Sequence, residues 1–132
     1  MPEELTEQEL KFLQDVLDFA RYGAADRLTA ALDLGVPVNL TSGTGDSLLI
    51  LAAYHRQADV VRLLLDRGAD TGRVNDRGQT ALGAAVFRQS GDIVTDLLRH
   101  GAEPAQGAPS ALEIAAFFDL PEMAALLYPA TG

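Results

Sequence analysis

The chain has 132 residues, of which 48% are hydrophobic and 22% are charged, so its composition predicts one globular domain rather than a disordered segment. The net charge of −9 opposes binding to DNA or RNA, because a phosphate-binding surface needs an excess of Lys and Arg. The absence of Cys excludes disulfides, thiolate metal ligands and cysteine nucleophiles.

The N-terminal stretch MPEELTEQEL is acidic and has no basic segment followed by an apolar run, so it does not resemble a secretion signal. No apolar run approaches the ~18 residues that a membrane-spanning helix needs. We therefore expect a cytoplasmic protein that binds neither membrane nor nucleic acid. Nine of the ten basic residues are Arg, which we interpret as the codon bias of a GC-rich, bacterial genome.

The first helix is predicted to begin after Thr6 and to run to about Tyr22. Thr6 and Glu9 have the spacing of a capping box, in which each side chain pairs with the other residue's backbone N–H. No turn segment precedes this helix, and a polar outer side suits a helix that caps the end of a stack. That side carries Glu7, Lys11, Gln14, Asp15 and Asp18. A second helix is predicted from about Ala25 to Leu34.

Residues 47–70 predict two short amphipathic helices in succession, one from Leu48 to about His55 and one from about Asp59 to Arg67. A helix of fewer than ~12–15 residues is marginal in water unless its apolar side packs against other elements. This segment therefore requires neighbours of the same kind.

An interval of 33 residues recurs along the chain. Gly35, Gly68 and Gly101 are spaced by it, and each follows an apolar helix end, where Gly fits a left-handed C-cap. Acidic residues recur at the predicted starts of the second helices, where the helix dipole favours an anion: Asp26, Asp59, Asp92 and, after 30 residues, Glu122. Four apolar columns follow the same spacing: Val16, Leu49, Leu82, Leu112; Phe19, Ala52, Ala85, Ala115; Leu28, Val61, Val94, Ala124; Ala31, Leu64, Leu97, Leu127.

Three segments open the predicted first helices of successive units: SLLILAA from Ser47, TALGAAV from Thr80 and SALEIAA from Ser110. The chain thereby resembles the ankyrin repeat family over essentially its whole length. That family's unit is a β-turn finger and two antiparallel helices, about 33 residues long, with T-P-L-H-x-A-A at the start of the first helix. The resemblance implies an all-α solenoid of four repeats in a single domain, at about residues 6–37, 38–70, 71–103 and 104–129, whose first and last repeats act as caps.

The chain departs from the family's motif at two positions. The family's Pro is replaced by Leu48, Ala81 and Ala111, and its His is replaced by Ile50, Gly83 and Glu113. Ser47, Thr80 and Ser110 can still act as N-caps. Gly83 inside a helix is expected to cost about 1 kcal/mol relative to Ala.

Three finger loops are predicted, at residues 36–46, 69–79 and 102–109. The second contains Asn75-Asp76-Arg77-Gly78, a good turn sequence. The third is shorter and contains Pro104 and Pro109, so we expect little strand pairing there.

No constellation of residues predicts catalysis, a cofactor or a metal. Residues 43–47, GTGDS, superficially resemble a phosphate cradle, but the Lys of a P-loop is missing and a finger turn explains them. His55 and His100 lie in different repeats, and no His pair has the i, i+4 spacing of a metal site. The chain also lacks a G-x-S-x-G elbow. We therefore predict that the protein is not an enzyme.

The resemblance implies a concave groove lined by the fingertips and by the two residues after each A-A step. Aromatic residues and Arg, the types enriched in interface hot spots, are frequent there. Whether Phe87 and Phe117 are exposed or pack between repeats stays open. The predicted partner-binding residues are Arg21, Tyr22, Tyr54, His55, Asp76, Arg77, Gln79, Phe87, Arg88, Phe117 and Phe118.

These observations predict a monomeric, non-enzymatic protein-interaction module or adaptor that binds a partner protein on its concave face. A groove less acidic than the rest of the chain would suit a peptide with apolar and acidic residues. Two alternatives stay open: a small-ligand-binding protein or enzyme with a polar site near His55 and Arg88, and a protein that self-associates through its aromatic residues.

Overall fold

This computed structural model describes residues 5–128, which contain eight α-helices in four successive pairs. The helices are α1 (Glu7–Tyr22), α2 (Ala25–Asp33), α3 (Leu48–Tyr54), α4 (Ala58–Asp66), α5 (Ala81–Phe87), α6 (Gly91–Arg99), α7 (Ala111–Phe117) and α8 (Pro121–Leu127). The predicted all-α solenoid is confirmed. Several helices end one residue earlier than predicted, because the next residue already begins the turn.

The helices form two rows. The inner helices α1, α3, α5 and α7 pack on one another in chain order, and the outer helices α2, α4, α6 and α8 do the same behind them. Buried Ala52, Ala85 and Ala115 recur in the inner row, where a small side chain lets neighbouring helices approach closely. The boundaries of the four repeats stay a prediction, and residue 129 lies outside the described residues.

One hydrophobic core runs through all four pairs. Its largest fully buried side chains come from both rows and include Leu28, Leu49, Leu64, Leu82 and Leu97. Full burial of a side chain of this size contributes roughly 1.5–3 kcal/mol to the free energy of folding. A single short helix pair cannot bury these side chains fully without neighbouring pairs. The requirement for similar neighbours, predicted for residues 47–70, is therefore met by the stack.

The three short inner helices begin with side-chain caps, as predicted. The hydroxyl of Ser47 accepts the Ile50 N–H at 3.0 Å, and that of Thr80 accepts the Gly83 N–H at 3.0 Å. Ser110 forms a full capping box with Glu113, whose carboxylate accepts the Ser110 N–H at 2.9 Å. Glu113, one of the departures from the family's motif, thus stabilises the start of α7. The predicted capping box at the start of α1 is also present.

The turns contain more left-handed residues than predicted. Gly35, Gly68 and Gly101 have φ of 105°, 81° and 90°, which confirms the predicted C-caps. The turn between the inner and outer helix of each pair also requires positive φ, and it is occupied by Gly23, Arg56, Gln89 and Asp119. Three of these four are not Gly, so the sequence carried no signal for them.

The finger loops contain no regular strand within the described residues. Two isolated bridges, Thr41 to Ser47 and Gly107 to Ser110, are the β-type pairings found there. The bridge from Gly107 to Ser110 lies at the end of the third finger and is isolated. Strand pairing in this finger is therefore limited, as its two Pro residues predicted.

Candidate partner-binding groove

An open groove of about 570 Å³ lies over the inner helices. Its floor is apolar and consists of one turn from each of three inner helices. The floor residues are Ile50 and Leu51 of α3, Gly83 and Ala84 of α5, and Ile114 of α7. Pro109 of the third finger borders this floor. Side chains of the inner helices thus hold the stack together on one side and line a surface on the other.

Aromatic rings form a continuous row along the groove. We call Tyr54, Phe87, Phe118 and Phe117 the aromatic row. The rings of Tyr54 and Phe87 are stacked, with centroids 6.5 Å apart and planes 11° apart. Phe118 meets Phe87 edge-on at 5.5 Å and Phe117 at 4.9 Å. Contacts of this geometry contribute about 0.5–1.5 kcal/mol each beyond area burial, so the row also couples neighbouring helix pairs.

The rings of the aromatic row remain exposed although they contact one another. Phe87 is 44% exposed and also packs between Tyr54 and Phe118 of the neighbouring repeats. The two alternatives left open for Phe87, exposure and packing between repeats, are therefore both true. Phe117 is 81% exposed and packs only on Phe118, the next residue, among the described rings. Large exposed rings in a groove are typical of a binding surface, because burying them stabilises the complex.

Cationic side chains surround the aromatic row. The guanidinium carbon of Arg88 lies 5.4 Å from the centroid of the Tyr54 ring, a cation–π geometry. Arg21 lines the groove and is held by Asp18 at 2.7 Å. Arg77 of the second finger also lines the groove. Neither Arg77 nor Arg88 forms an ion pair with a carboxylate of residues 5–128.

The surroundings of His55 lower its pKa. Its ring meets the edge of the Tyr54 ring at 5.3 Å. Partial desolvation, followed by the charges of Arg21 and Arg88, lowers the pKa of His55 below its ordinary value of 6.5. His55 is therefore mainly neutral at pH 7.

The fingertips are held in place by Asn75, a buried side chain in the second finger. Its Nδ2 donates to Asp46 Oδ1 at 2.7 Å and to Gln79 Oε1 at 2.9 Å. Its Oδ1 accepts the backbone N–H groups of Arg77 and Gln79 at 3.0 and 2.9 Å. One amide therefore fixes the second finger and ties it to the first.

Seven of the eleven predicted residues line the groove: Arg21, Tyr54, His55, Arg77, Gln79, Phe87 and Phe118. Four do not: Tyr22, Asp76, Arg88 and Phe117. Arg88 and Phe117 nevertheless contact lining residues through their rings or charges. Whether any of the eleven contacts a partner stays a prediction.

The prediction missed the groove floor and Pro109. Asp46 was expected at a fingertip beside the groove and does line it, although it was not among the predicted binding residues. A signal for the floor was present, since residues three and four apart share a helix face. Ile50 lies four residues before Tyr54, Gly83 four before Phe87, and Ile114 four before Phe118. Gly83 is also close-packed: a Cβ there would lie 3.2 Å from Ile114 Cδ1.

The polar site considered near His55 and Arg88 corresponds to one side of this groove. Within residues 5–128, no group of three or more His, Asp or Glu side chains is placed to hold a metal ion. None of the helices described here combines the length and the hydropathy needed to cross a membrane. The cytoplasmic location stays a prediction.

Comparison with known proteins agrees with the architecture. A family model for ankyrin repeats, in three copies, matches residues 17–108. A putative ankyrin repeat protein of Pseudomonas aeruginosa is 47% identical over 60 residues, which are 46% of this chain and 35% of that protein. The match thus spans about a third of that bacterial relative. Because the family model covers most of the helix pairs and the fold has the same organisation, the chain belongs to the ankyrin repeat family.

Proposed function

We propose that the chain is a non-enzymatic protein-interaction module that binds a partner protein on its concave face, at the groove over the inner helices. Ankyrin repeats are generally protein–protein interaction modules, which supports the class of function. The observation that carries the proposal is the combination of half-exposed aromatic rings in one groove with Arg77 in its lining and Arg88 over the Tyr54 ring, neither of which has an ion-pair partner in the described residues.

The composition of the groove favours binding of a protein surface. Phe87 and Phe118 are 44% and 49% exposed, and both lie against an apolar floor. Burying such rings removes a large apolar area from water, while nearby Arg77 and Gln79 can supply polar contacts at the edge. A specific complex of this kind buries roughly 1,200–2,000 Å² in total. The eleven residues predicted from the sequence are the proposed contact set, together with the floor.

Site-specific photocrosslinking tests the proposal directly. A photoreactive phenylalanine analogue placed at position 87 probes the groove, and the same analogue at exposed Asp92 probes the outer row. After irradiation in lysate of the source cells, we expect a defined protein to crosslink at position 87 and not at position 92. Equal crosslinking at both positions would contradict binding in the groove.

A matched pair of variants separates the groove from general surface hydrophobicity. Phe87→Asp places a charge in the groove, whereas Leu34→Asp makes the same kind of change at a residue that is 81% exposed and outside the groove. Both variants should keep the helical circular dichroism spectrum. Capture of the crosslinked partner should fall at least about tenfold with Phe87→Asp and stay unchanged with Leu34→Asp. An unchanged partner set with folded Phe87→Asp would show that the surface is wrong.

Light scattering after size exclusion tests self-association. A monomer at all concentrations would eliminate the reading in which the aromatic row joins two copies. A dimer that Phe87→Asp dissociates would favour that reading over the adaptor.

A further inference from the structure

We propose that the groove takes an acidic peptide segment of the partner protein, with one or more apolar side chains against the aromatic row and carboxylates facing Arg77 and Arg88. This inference rests on the proposed function and specifies the chemistry of the partner. It is carried by the charge of the groove, by its floor and by its dimensions.

The lining of the groove is less acidic than the whole protein. The chain carries a net charge of −9, whereas the charged residues that line the groove are Arg21, which is paired with Asp18, Arg77 and a single carboxylate, Asp46. Both oxygens of Asp46 are already occupied, one by Asn75 at 2.7 Å and the other by the Thr44 hydroxyl at 2.9 Å. The lining of the groove is therefore less acidic than the chain as a whole, which favours an acidic segment as its occupant.

Arg77 in the groove and Arg88 beside it can meet a partner's carboxylate without breaking an ion pair. Among residues 5–128, neither has a carboxylate within ion-pair distance. Arg27 of the outer row is also unpaired within these residues but lies outside the groove, which makes it a suitable control. Arg88 lies over the Tyr54 ring and so is presented beside the aromatic row. A carboxylate bound at Arg88 would be adjacent to the aromatic row, and one bound at Arg77 would lie at the groove lining. Complementary charge of this kind determines partner choice and speeds association.

The floor of the groove accepts apolar side chains. Ile50 and Ile114 are nearly buried and apolar, and Gly83 between them has no side chain. A Cβ at position 83 would lie 3.2 Å from Ile114 Cδ1, so any larger residue there would require Ile114 to shift. Gly83 thus allows Ile114 to pack closely on α5 in the floor. An aliphatic or aromatic side chain of the partner fits this place better than a charged one.

The dimensions of the groove favour a short segment. Packed helices lie 8–10 Å apart, so the four inner helices span roughly 25–30 Å. An extended chain rises about 3.3 Å per residue, so a segment of about eight or nine residues covers that distance.

Peptide display on the purified full chain tests the inference. A random ten-residue library is selected against the immobilised protein, and single selected peptides are then synthesised with a fluorescent label and titrated by anisotropy. We expect the selected sequences to be enriched in Asp and Glu together with Leu, Ile, Val, Met or Phe. Their binding should weaken at least about tenfold between 50 and 500 mM NaCl, because the charge contacts are screened.

Charge-reversal variants then locate the cations. Arg77→Glu and Arg88→Glu should each weaken binding of the selected peptide at least tenfold. Arg27→Glu is the matched control: it makes the same charge change at an exposed residue of α2, and binding should stay within twofold. Circular dichroism and thermal unfolding verify that all three variants are folded.

The outcomes separate this inference from the proposed function. Selected peptides that are neutral or basic, but that lose binding with Phe87→Asp, would overturn the inference and leave the interaction groove intact. Acidic peptides whose binding is insensitive to Arg77→Glu and Arg88→Glu would also overturn it. Selection of no sequence would count against a peptide occupant, whereas photocrosslinking at position 87 decides the proposed function independently. A dimer dissociated by Phe87→Asp would make a second copy the occupant and overturn both.

Discussion

The short inner helices α3, α5 and α7 and the outer helices contribute to the same core, but they differ in how they begin and in what they present to solvent. The inner helices begin with a Ser or Thr side chain that accepts a backbone N–H, whereas no outer helix has a side-chain cap bond. The outer helices carry an acidic residue in the first turn instead, as predicted: Asp26, Asp59, Asp92 and Glu122.

The two rows also use their arginines differently. On the outer side, Arg62 pairs with Asp96 at 3.3 Å and Arg67 pairs with Asp33 at 2.7 Å, each across to a neighbouring helix pair. On the inner side, Arg77 and Arg88 have no such partner in residues 5–128. The comparison teaches that Arg62 and Arg67 join neighbouring helix pairs on the outer side, whereas Arg77 and Arg88 form no ion pair across the stack within the described residues and are the arginines that we propose contact a partner.

The largest expected effect separates the shared core from the groove. Leu64→Ala removes a fully buried side chain of the outer row and should lower the free energy of unfolding by about 2–5 kcal/mol. Phe87→Ala removes a larger side chain that is 44% exposed, so it should cost clearly less. Urea unfolding followed by circular dichroism measures both. If Phe87→Ala is as destabilising as Leu64→Ala, the aromatic row is mainly structural and the comparison fails.

The second prediction concerns the fingers, which lie on the inner side. Asn75→Ala removes four hydrogen bonds of a buried amide and should lower the free energy of unfolding by about 1–3 kcal/mol. Asn39→Ala is the matched control, because the Asn39 side chain accepts one hydrogen bond, from the Asp70 N–H at 2.8 Å, in an exposed loop. We expect a smaller loss there. Equal losses in urea unfolding would show that Asn75 does not organise the fingers.

The third prediction tests the difference in capping. Thr80→Ala removes the hydroxyl that accepts the Gly83 N–H and should cost about 1 kcal/mol. Ser90→Ala changes the residue that precedes α6. The hydroxyl oxygen of Ser90 is buried and has no hydrogen-bond partner among the described residues. That change should be neutral or slightly stabilising, because an unsatisfied polar group is removed. Thermal unfolding compares the two variants, and a larger loss for Ser90→Ala would refute the distinction between the rows.

The smallest expected effect is electrostatic. An NMR titration should give His55 a pKa below 6.5, and Arg88→Gln should raise it only partly, because partial desolvation is the larger cause. Since the pKa is lower in the folded state than in the unfolded one, protonation favours unfolding. The stability contribution of His55 is therefore complete above about pH 6.5, decreases as the pH falls, and levels off below the lowered pKa. No change of the pKa in Arg88→Gln would show that Arg88 does not act on His55.

An acidic ligand in the groove should act on His55 in the opposite direction. A carboxylate beside His55 raises its pKa, so the selected peptide should bind more tightly at pH 6 than at pH 7.5. His55→Gln should remove that difference and leave the salt dependence in place.

Local signals were read correctly from the sequence because their partners lie within a few residues. Ser47, Thr80 and the Thr6–Glu9 box cap helices three residues away, and Gly35 ends a helix by its own backbone conformation. The S-x-x-E pattern of Ser110 and Glu113 was equally local and was missed. Positive φ at Arg56 and Gln89 could not be predicted, because these residue types do not prefer that conformation, and Asp119 is of a type that adopts it only occasionally.

The sequence predicted several residues that line the groove, but not the contacts between them. The resemblance to the family implied that the two residues after each A-A step face the groove, and Tyr54, Phe87 and Phe118 do line it. It did not reveal that Phe87 contacts rings of both neighbouring pairs and still stays exposed. It also did not reveal the hydrogen bond from Asn75 to Asp46, two residues 29 positions apart, which joins the second finger to the first.

The sequence by itself determined the helices, their apolar sides and their stacking into a solenoid, because a helical period and a 33-residue interval are both properties of spacing along one chain. Only the tertiary structure decided which side chains meet across helix pairs: the stacked rings of Tyr54 and Phe87, the Arg67–Asp33 pair, and the arginines that remain without one. The physical reason is that these contacts join residues about thirty positions apart, and their distances follow from how one helix pair packs on the next.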